Sequence, residues 1–238
     1  MHLLCVIPAR LGSTRLPQKP LRPLGGEPLI RVVARRALAL GLTARVVVAG
    51  DDPRILEAVA PLGVEAVLTD RGHRSGTERV AEVARRPEYR NAEIVLNLQG
   101  DEPLIPREAA LGAVRRVEGG AEIGTAADPL QARDRSHPDR VKVAVDPAGR
   151  ALDFFRTPVA PACARQPAVL RHVGVYAYRP AALERWIALP PVAEEIEERL
   201  EQLRPLRHGM TIGVEPLRVP VPPGIDSEED LRLVEAAL

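Results

Sequence analysis

Arg10, Arg15 and Lys19 are packed together in "ARLGSTRLPQK", interleaved with Gly12, Ser13 and Thr14. Three cations, two hydroxyls and a glycine that lets backbone approach closely are the groups that hold a polyphosphate by charge-assisted hydrogen bonds. The run fits neither G-x-x-x-x-G-K-[ST] nor G-x-G-x-x-G, so it would grip phosphate with side-chain charge rather than with a glycine-rich cradle. A solvated surface loop with ordinary arginines is the competing reading. Lys19 favours the phosphate reading, because it is one of two lysines, with Lys142, among 33 basic residues.

Further along, "QGDEP" sets Asp101 and Glu102 just beyond an apolar run, where a carboxylate can bind a hard cation that bridges to substrate phosphate. Magnesium suits such a site better than zinc, since no His/Cys cluster accompanies it; a helix N-cap is the other use of Asp101. In "RSGTER", Ser75 with Glu78 three residues on reads as a capping box, and its Ser-Gly-Thr turn can also offer backbone groups to a base edge. "PGIDSEEDL" is ambiguous in the same way. Either Asp226 or Ser227 caps the last helix, and Asp226 is also available as a second metal carboxylate. "RHVGVYAYR" alternates as a strand, with His172, Gly174, Tyr176 and Tyr178 on one face, which suits either a polar pocket floor or a satisfied core. "EQLR", residues 201–204, reads by composition as a solvated face.

These groups need elements to bring them together. The runs 3–7, 45–49, 64–68 and 93–98 are apolar, short and separated by the helical patterns 28–40, 52–63 and 77–86. Such alternation predicts parallel strands buried on both faces, a doubly wound α/β sheet, with ligands at the carboxyl ends of the strands. Both the cationic loop and "QGDEP" fall on that edge. From about residue 139 short strands follow one another, which predicts a small strand-rich cap or dimerisation element, about 139–178, inserted in a single domain spanning 1–238. Helices over 180–188 and 193–204, a late strand in "TIGVEPLRV" and a closing helix in "DSEEDLRLVEAAL" complete the pattern.

The chain is 238 residues with a formal net charge of +1. That is long enough for a sizeable core, and the charge excludes a broad nucleic-acid-binding surface. Cys5 and Cys163 have no paired spacing and read as free thiols of a reducing cytoplasm. No run approaches the ~20 apolar residues of a membrane span, so a soluble cytoplasmic protein is expected.

Taken in order, "IPARLGSTRLPQKPL", "HRSGTERVAE", "NLQGDEPLIP", "DRVKVAV", "RHVGVYAYR", "LEQLR" and "PGIDSEEDL" resemble the 3-deoxy-D-manno-octulosonate (Kdo) cytidylyltransferases nearly end to end. The resemblance implies a mixed sheet of the nucleotide-diphospho-sugar transferase type and a homodimer. It also implies magnesium-dependent attack of the sugar's anomeric hydroxyl on the α-phosphorus of CTP, giving CMP-Kdo and pyrophosphate for lipopolysaccharide-type glycans. By position it assigns Arg10, Gly12, Ser13, Thr14, Arg15 and Lys19 to the triphosphate, and Arg74, Ser75, Gly76, Gln99 and Gly100 to the rest of the nucleotide. Asp101 and Asp226 take the metal and, with Arg10 and Lys19, the catalytic role. Gln99, Arg156, His172, Tyr176, Glu201 and Gln202 face the acidic eight-carbon sugar. Phe155 departs from the family's serine before Arg156, which raises the prospect of a reshaped sugar pocket. A cytidylyltransferase for another acidic sugar, 8-amino-Kdo or a nonulosonic acid, and a non-catalytic nucleotide-binding protein of the same fold are the rival readings.

Overall fold

The computed structural model describes residues 2–13, 15–43, 45–159 and 168–238. Thr14 and Cys163 lie outside the described residues. In chain order the elements are β1 (Leu3–Ala9), β2 (Pro23–Leu24), β3 (Glu27–Pro28), α1 (Leu29–Ala39), β4 (Val46–Gly50), α2 (Pro53–Val59), β5 (Glu65–Leu68), α3 (Gly76–Ala84) and β6 (Ile94–Leu98). There follow α4 (Arg107–Glu118), β7 (Ile123–Asp128), β8 (Lys142–Val145), β9 (Ala151–Phe155), β10 (Ala168–Tyr178), α5 (Pro180–Ala188), α6 (Ala193–Glu198), α7 (Leu203–Arg207), β11 (Ile212–Pro216) and α8 (Glu228–Glu235). These form two compact units, one of Met1–Arg107 with Pro222–Leu238 and one of Glu108–Val221.

In the first unit β1 lies between β6 and β4, and β4 pairs with β5, every pairing parallel. β1, β4 and β6 are buried at every position, as expected when helices cover both faces of a parallel sheet. α1 contributes Leu29, Ile30, Val32, Val33, Ala34 and Ala37 to the core, and α3 contributes Thr77, Arg79, Val80, Ala81 and Val83. Because the strands are parallel, the loops after β1 and β6 leave the sheet at the same edge. Gly100 makes their approach possible: a Cβ there would stand 2.6 Å from the Pro8 carbonyl oxygen, closer than any side chain tolerates.

In the second unit β7 pairs in parallel with β11 and antiparallel with β10. The first residues of β10 pair with β8, which pairs in turn with β9. Gly124 on β7 packs directly under the Ala113 carbonyl of α4, leaving no room for a side chain. A bulge between Val173 and Tyr176 interrupts β10, yet His172, Tyr176 and Tyr178 still cluster. His172 meets Phe154 edge-on at 5.4 Å and Tyr176 at 5.3 Å, while Trp186 sits edge-on to both tyrosines.

The structure departs from the sequence reading in one helix and adds one strand. The helix over 193–204 is two helices, broken where Arg199 takes a left-handed φ of 56°. This break lets both Leu200 and Leu203 reach the core, and an ion pair from Arg204 to Glu195 closes the turn. The strand β7 was not foreseen, because "IGTAAD" is built of small residues with weak strand propensity. Strand alternation sets Phe155 on the face opposite Phe154, and Phe154 is the ring that touches His172.

Candidate active site

The sharpest geometry in the first unit centres on Lys19. Its ammonium donates to Asp101 Oδ2 at 2.6 Å, to Asp226 Oδ1 at 2.9 Å and to the Ile225 carbonyl at 3.0 Å. Residues from the loop after β1, the loop after β6 and the segment leading into α8 therefore meet on one cation. Local sequence explains each arrival. Gln18 adopts a left-handed φ of 53° just before a single 3₁₀ turn that begins at Lys19, a conformation uncommon for a residue with a side chain. Asp101 follows Gly100, whose lack of a Cβ admits Pro8. Gly224 admits the returning chain, since a Cβ there would meet Glu102 Oε1 at 2.9 Å, and the Ile225 N–H is bonded to the Asp101 carbonyl at 2.9 Å.

Capping resolves the second ambiguity. Ser227, not Asp226, is the N-cap of α8, with Asp230 completing a capping box, so the Asp226 carboxylate is released to Lys19 and to Arg15, whose guanidinium lies 3.1 Å away. Asp101 does not cap α4 either; its carboxylate is turned to Lys19. Burial opposes the charge of Lys19, but the two carboxylates more than offset this and raise its pKa above the ordinary lysine value. Burial likewise works against the Asp226 carboxylate, yet Lys19 and Arg15 hold its pKa below the usual aspartate value. Lys19 and Asp226 thus stabilise each other's charged forms.

The other nucleotide candidates border this cluster. Arg10 is exposed at the end of β1, and the next residue, Leu11, donates its N–H to Asp51 Oδ1 at 3.1 Å. Ser13 Oγ accepts from the Leu16 N–H at 3.4 Å, and Gly12 faces open space. Ser75 caps α3 by accepting from Glu78 N–H, while Glu78 accepts from Arg74 N–H at 2.7 Å. A Cβ on Gly76 would meet Pro8 at 3.4 Å and Gln99 Oε1 at 3.9 Å, so the first turn of α3, the end of β1 and Gln99 are neighbours. Ser75 thus caps the helix, while the Glu78 carboxylate closes on the Arg74 N–H.

The second unit carries the acceptor candidates. Arg156 donates through Nε to the Glu198 carbonyl at 3.1 Å and through Nη1 to the Asp139 carbonyl at 2.8 Å. His172 Nε2 lies 2.9 Å from Thr125 Oγ1, whose single proton is given to the Val175 carbonyl at 2.7 Å. The imidazole is therefore the donor, a neutral Nε2–H tautomer. Burial first, then the charges of Arg171 and Arg156, push its pKa down to about 3. Tyr176 and Gln202 are buried and Glu201 is half-buried. Tyr176 is a member of the aromatic core, and burial raises its hydroxyl pKa well above the usual phenol value.

Sequence reasoning did not single out Asp51, Arg79 or the Ile225 carbonyl. Nothing in their local patterns marks them, because each acts through a long-range contact. Lys142 did carry a signal, its rarity. Cys5 is a buried free thiol whose pKa burial pushes up to about 12, so it is inert. Among the described residues no three His, Cys, Asp or Glu side chains group as a metal cluster, and no helix is long and apolar enough to cross a membrane.

A family model described as cytidylyltransferase matches residues 4–212. A 3-deoxy-manno-octulosonate cytidylyltransferase of Gemmatimonas aurantiaca is 49% identical, over 97% of this chain and 92% of its own. One from Methylibium petroleiphilum is 44% identical, over 100% of this chain and 96% of its own. A CMP:2-keto-3-deoxy-manno-octonic acid synthetase, solved in complex with CTP, superposes with a TM-score of 0.89 at 38% identity, covering 100% of this chain and 98% of that one. A cytidylyltransferase structure from Leptospira borgpetersenii, at 17% identity and a TM-score of 0.63, shares the fold. The chain therefore belongs to the cytidylyltransferase family, as a nucleotidyltransferase among the 3-deoxy-manno-octulosonate cytidylyltransferases.

Proposed function

We propose that the protein transfers the cytidylyl group of CTP to the anomeric hydroxyl of Kdo, releasing pyrophosphate. The near full-length likeness to enzymes named for that reaction carries the reading. It favours Kdo over 8-amino-Kdo or a nonulosonic acid, and enzyme over binding protein. Phosphoryl transfer asks little covalent help of a protein; positioning and charge stabilisation dominate. Arg10 and Arg15, with Ser13 and Thr14, are the groups to hold the triphosphate, while Arg74, Ser75, Gly76, Gln99 and Gly100 border the nucleoside. Lys19 holds Asp101 and Asp226 together on one ammonium. Arg156, His172, Tyr176, Glu201 and Gln202 are the acceptor residues of this reading, with Arg156 the partner for the acceptor's carboxylate.

The donor set fits magnesium. Two aspartates and a carbonyl oxygen already converge on one cation, the Lys19 ammonium, and magnesium is characteristically held by one or two carboxylates together with substrate phosphates. Asp101 and Asp226 would hold it, and bound there it supplies charge neutralisation at the transferring phosphate. The same reading places the enzyme in the cytoplasm, supplying CMP-Kdo to lipopolysaccharide-type glycans, as a homodimer. Edge strand β9 pairs with β8 and exposes Leu152, the kind of surface a second copy could cover.

The test is pyrophosphate release from purified protein with magnesium and CTP, comparing Kdo, 8-amino-Kdo and a nonulosonic acid, with ATP, GTP and UTP as nucleotide controls. Release with CTP and Kdo is expected. Release with another acid alone moves the acceptor, and silence throughout overturns the reading. Sedimentation that finds only a 25.8 kDa species at micromolar concentrations overturns the dimer.

A further inference from the structure

Lys142 is buried to 0% exposure at the start of β8. Its ammonium donates to the His137 carbonyl at 3.0 Å and to the Arg156 carbonyl at 2.9 Å. No carboxylate stands within ion-pair distance of it among the described residues. Asp134 and Glu198 act on it only through their fields, and the guanidinium of Arg156 repels it. A buried cation partnered by carbonyls alone is costly, and an apolar residue of similar size would stabilise the fold better. That cost calls for a use.

The bonds around it suggest one. Arg156 leaves β9 with its carbonyl fixed by Lys142, and its guanidinium rests on the carbonyls of Asp139 and Glu198. The turn that offers Asp139 is itself held by His137, whose carbonyl bonds Lys142 and whose Nδ1 accepts the Asp139 N–H at 3.2 Å. Lys142 therefore fixes Arg156 at both ends, directly through its carbonyl and indirectly through the 137–139 turn. It also adds a positive charge that repels that guanidinium and that only the fields of Asp134 and Glu198 offset.

We infer that Lys142 is a positioning residue for the acceptor: with no contact to substrate, it sets Arg156 and its positive field to receive an anionic sugar acid. The inference rests on the proposed role of Arg156. A group displaced by about 1 Å can cost 100-fold, so a more modest loss of about tenfold is expected here.

The experiment measures KM for Kdo and for CTP in Lys142→Met, Arg156→Gln and the double variant, with fluorescence of Trp186, the sole tryptophan, reporting the fold of the second unit. Lys142→Met should raise the Kdo KM about tenfold and leave the CTP KM within about twofold. In the Arg156→Gln background the same change should add less than about twofold, since residues acting as one unit are not additive. An unmoved Kdo KM, or a full tenfold penalty on top of Arg156→Gln, overturns the inference while leaving Arg156 in place. If Arg156→Gln itself leaves the Kdo KM unchanged, the Arg156 reading has failed, and the Lys142 inference with it. Should Lys142→Met lose the native Trp186 signal, Lys142→Arg decides. A native signal with near wild-type Kdo KM supports the inference, and loss of the signal in both variants makes the residue purely structural and overturns it.

Discussion

The ammonium of Lys19 lies 2.6 Å from the carboxylate of Asp101, 82 positions away in sequence. Since Asp226 shares the same ammonium, the Asp101→Asn variant removes one charge from the pair while keeping its shape. Turnover should fall about 100-fold or more, the scale of losing one preorganised electrostatic group. CTP binding, which the proposed reading gives mainly to the arginines, should weaken far less. Pyrophosphate release beside calorimetric CTP binding separates the two, and unchanged turnover removes Asp101 from the chemistry.

The two shifted groups of this cluster set opposite limits on stability. Asp226 has a folded pKa below its usual 3.8, so its contribution is complete above that value and is lost as pH falls through the lowered one. Lys19 has a folded pKa above 10.5, so its contribution is complete below that value and is lost as pH rises through the raised one. Urea denaturation of Asp226→Asn should therefore differ from wild type most at neutral pH and converge with it as pH falls below 3.8. An equal gap at both ends would mean that the carboxylate is not what stabilises the loop.

His172 acts in a different window. Its pKa is about 3 in the folded protein against 6.5 unfolded, so the unfolded chain binds more protons between these values and stability falls as the solution is acidified from 6.5. Carboxylates titrate mostly below pH 5. The slope of unfolding free energy between pH 5 and 6.5 should thus be visibly shallower in His172→Gln, a change that keeps a donor for Thr125 Oγ1. An identical slope would show the imidazole titrating freely.

How much of this was readable in advance depends on the range of the interaction. β1, β4, β5 and β6 announce themselves as apolar runs, and Ser75 as a cap, because both signals are local, whereas local pattern leaves the choice between Asp226 and Ser227 as the cap of α8 open. Asp101, Asp226 and Lys19 could be named individually, but not joined, since spacing along a chain says nothing of where a loop returns. Lys19 was read as a phosphate ligand, whereas in the structure its three donors are spent on two carboxylates and a carbonyl. β7 stayed hidden because its small residues are selected by packing under α4, as Gly124 against Ala113 shows.

Two glycines of the site region should respond oppositely to alanine. At Gly100 the new methyl would meet the Pro8 carbonyl at 2.6 Å, and Gly100→Ala should lose about 2 kcal/mol or more, as overpacking against backbone does. At Gly12 nothing lies within 4 Å, and Gly12→Ala should leave stability unchanged or raise it by up to about 1 kcal/mol through the unfolded state. Chemical denaturation of both variants checks the pair. Equal losses would mean that the loop after β1 is packed in a way the geometry does not show.

Arg79 offers the most direct route from the core to the nucleotide loop. It is 2% exposed on α3, and its guanidinium bonds Thr69 Oγ1 and the Asp70 carbonyl while Nη2 faces Asp51 Oδ2 at 3.9 Å. Asp51 in turn accepts the Leu11 N–H, fixing the backbone beside Arg10. Burial lowers the pKa of Arg79, and Asp51 opposes that shift, so the guanidinium depends on this carboxylate. Arg79→Met would leave Asp51 half-buried without its cation. The stability loss should approach about 3 kcal/mol, the lower end for breaking a buried pair. If Asp51 steers the loop, the KM for CTP should also rise, while the KM for Kdo, whose proposed acceptor residues other than Gln99 belong to the second unit, stays near the wild-type value. A loss of stability with both constants unmoved would confine Arg79 to the core and leave the opening loop to be held by its own turn.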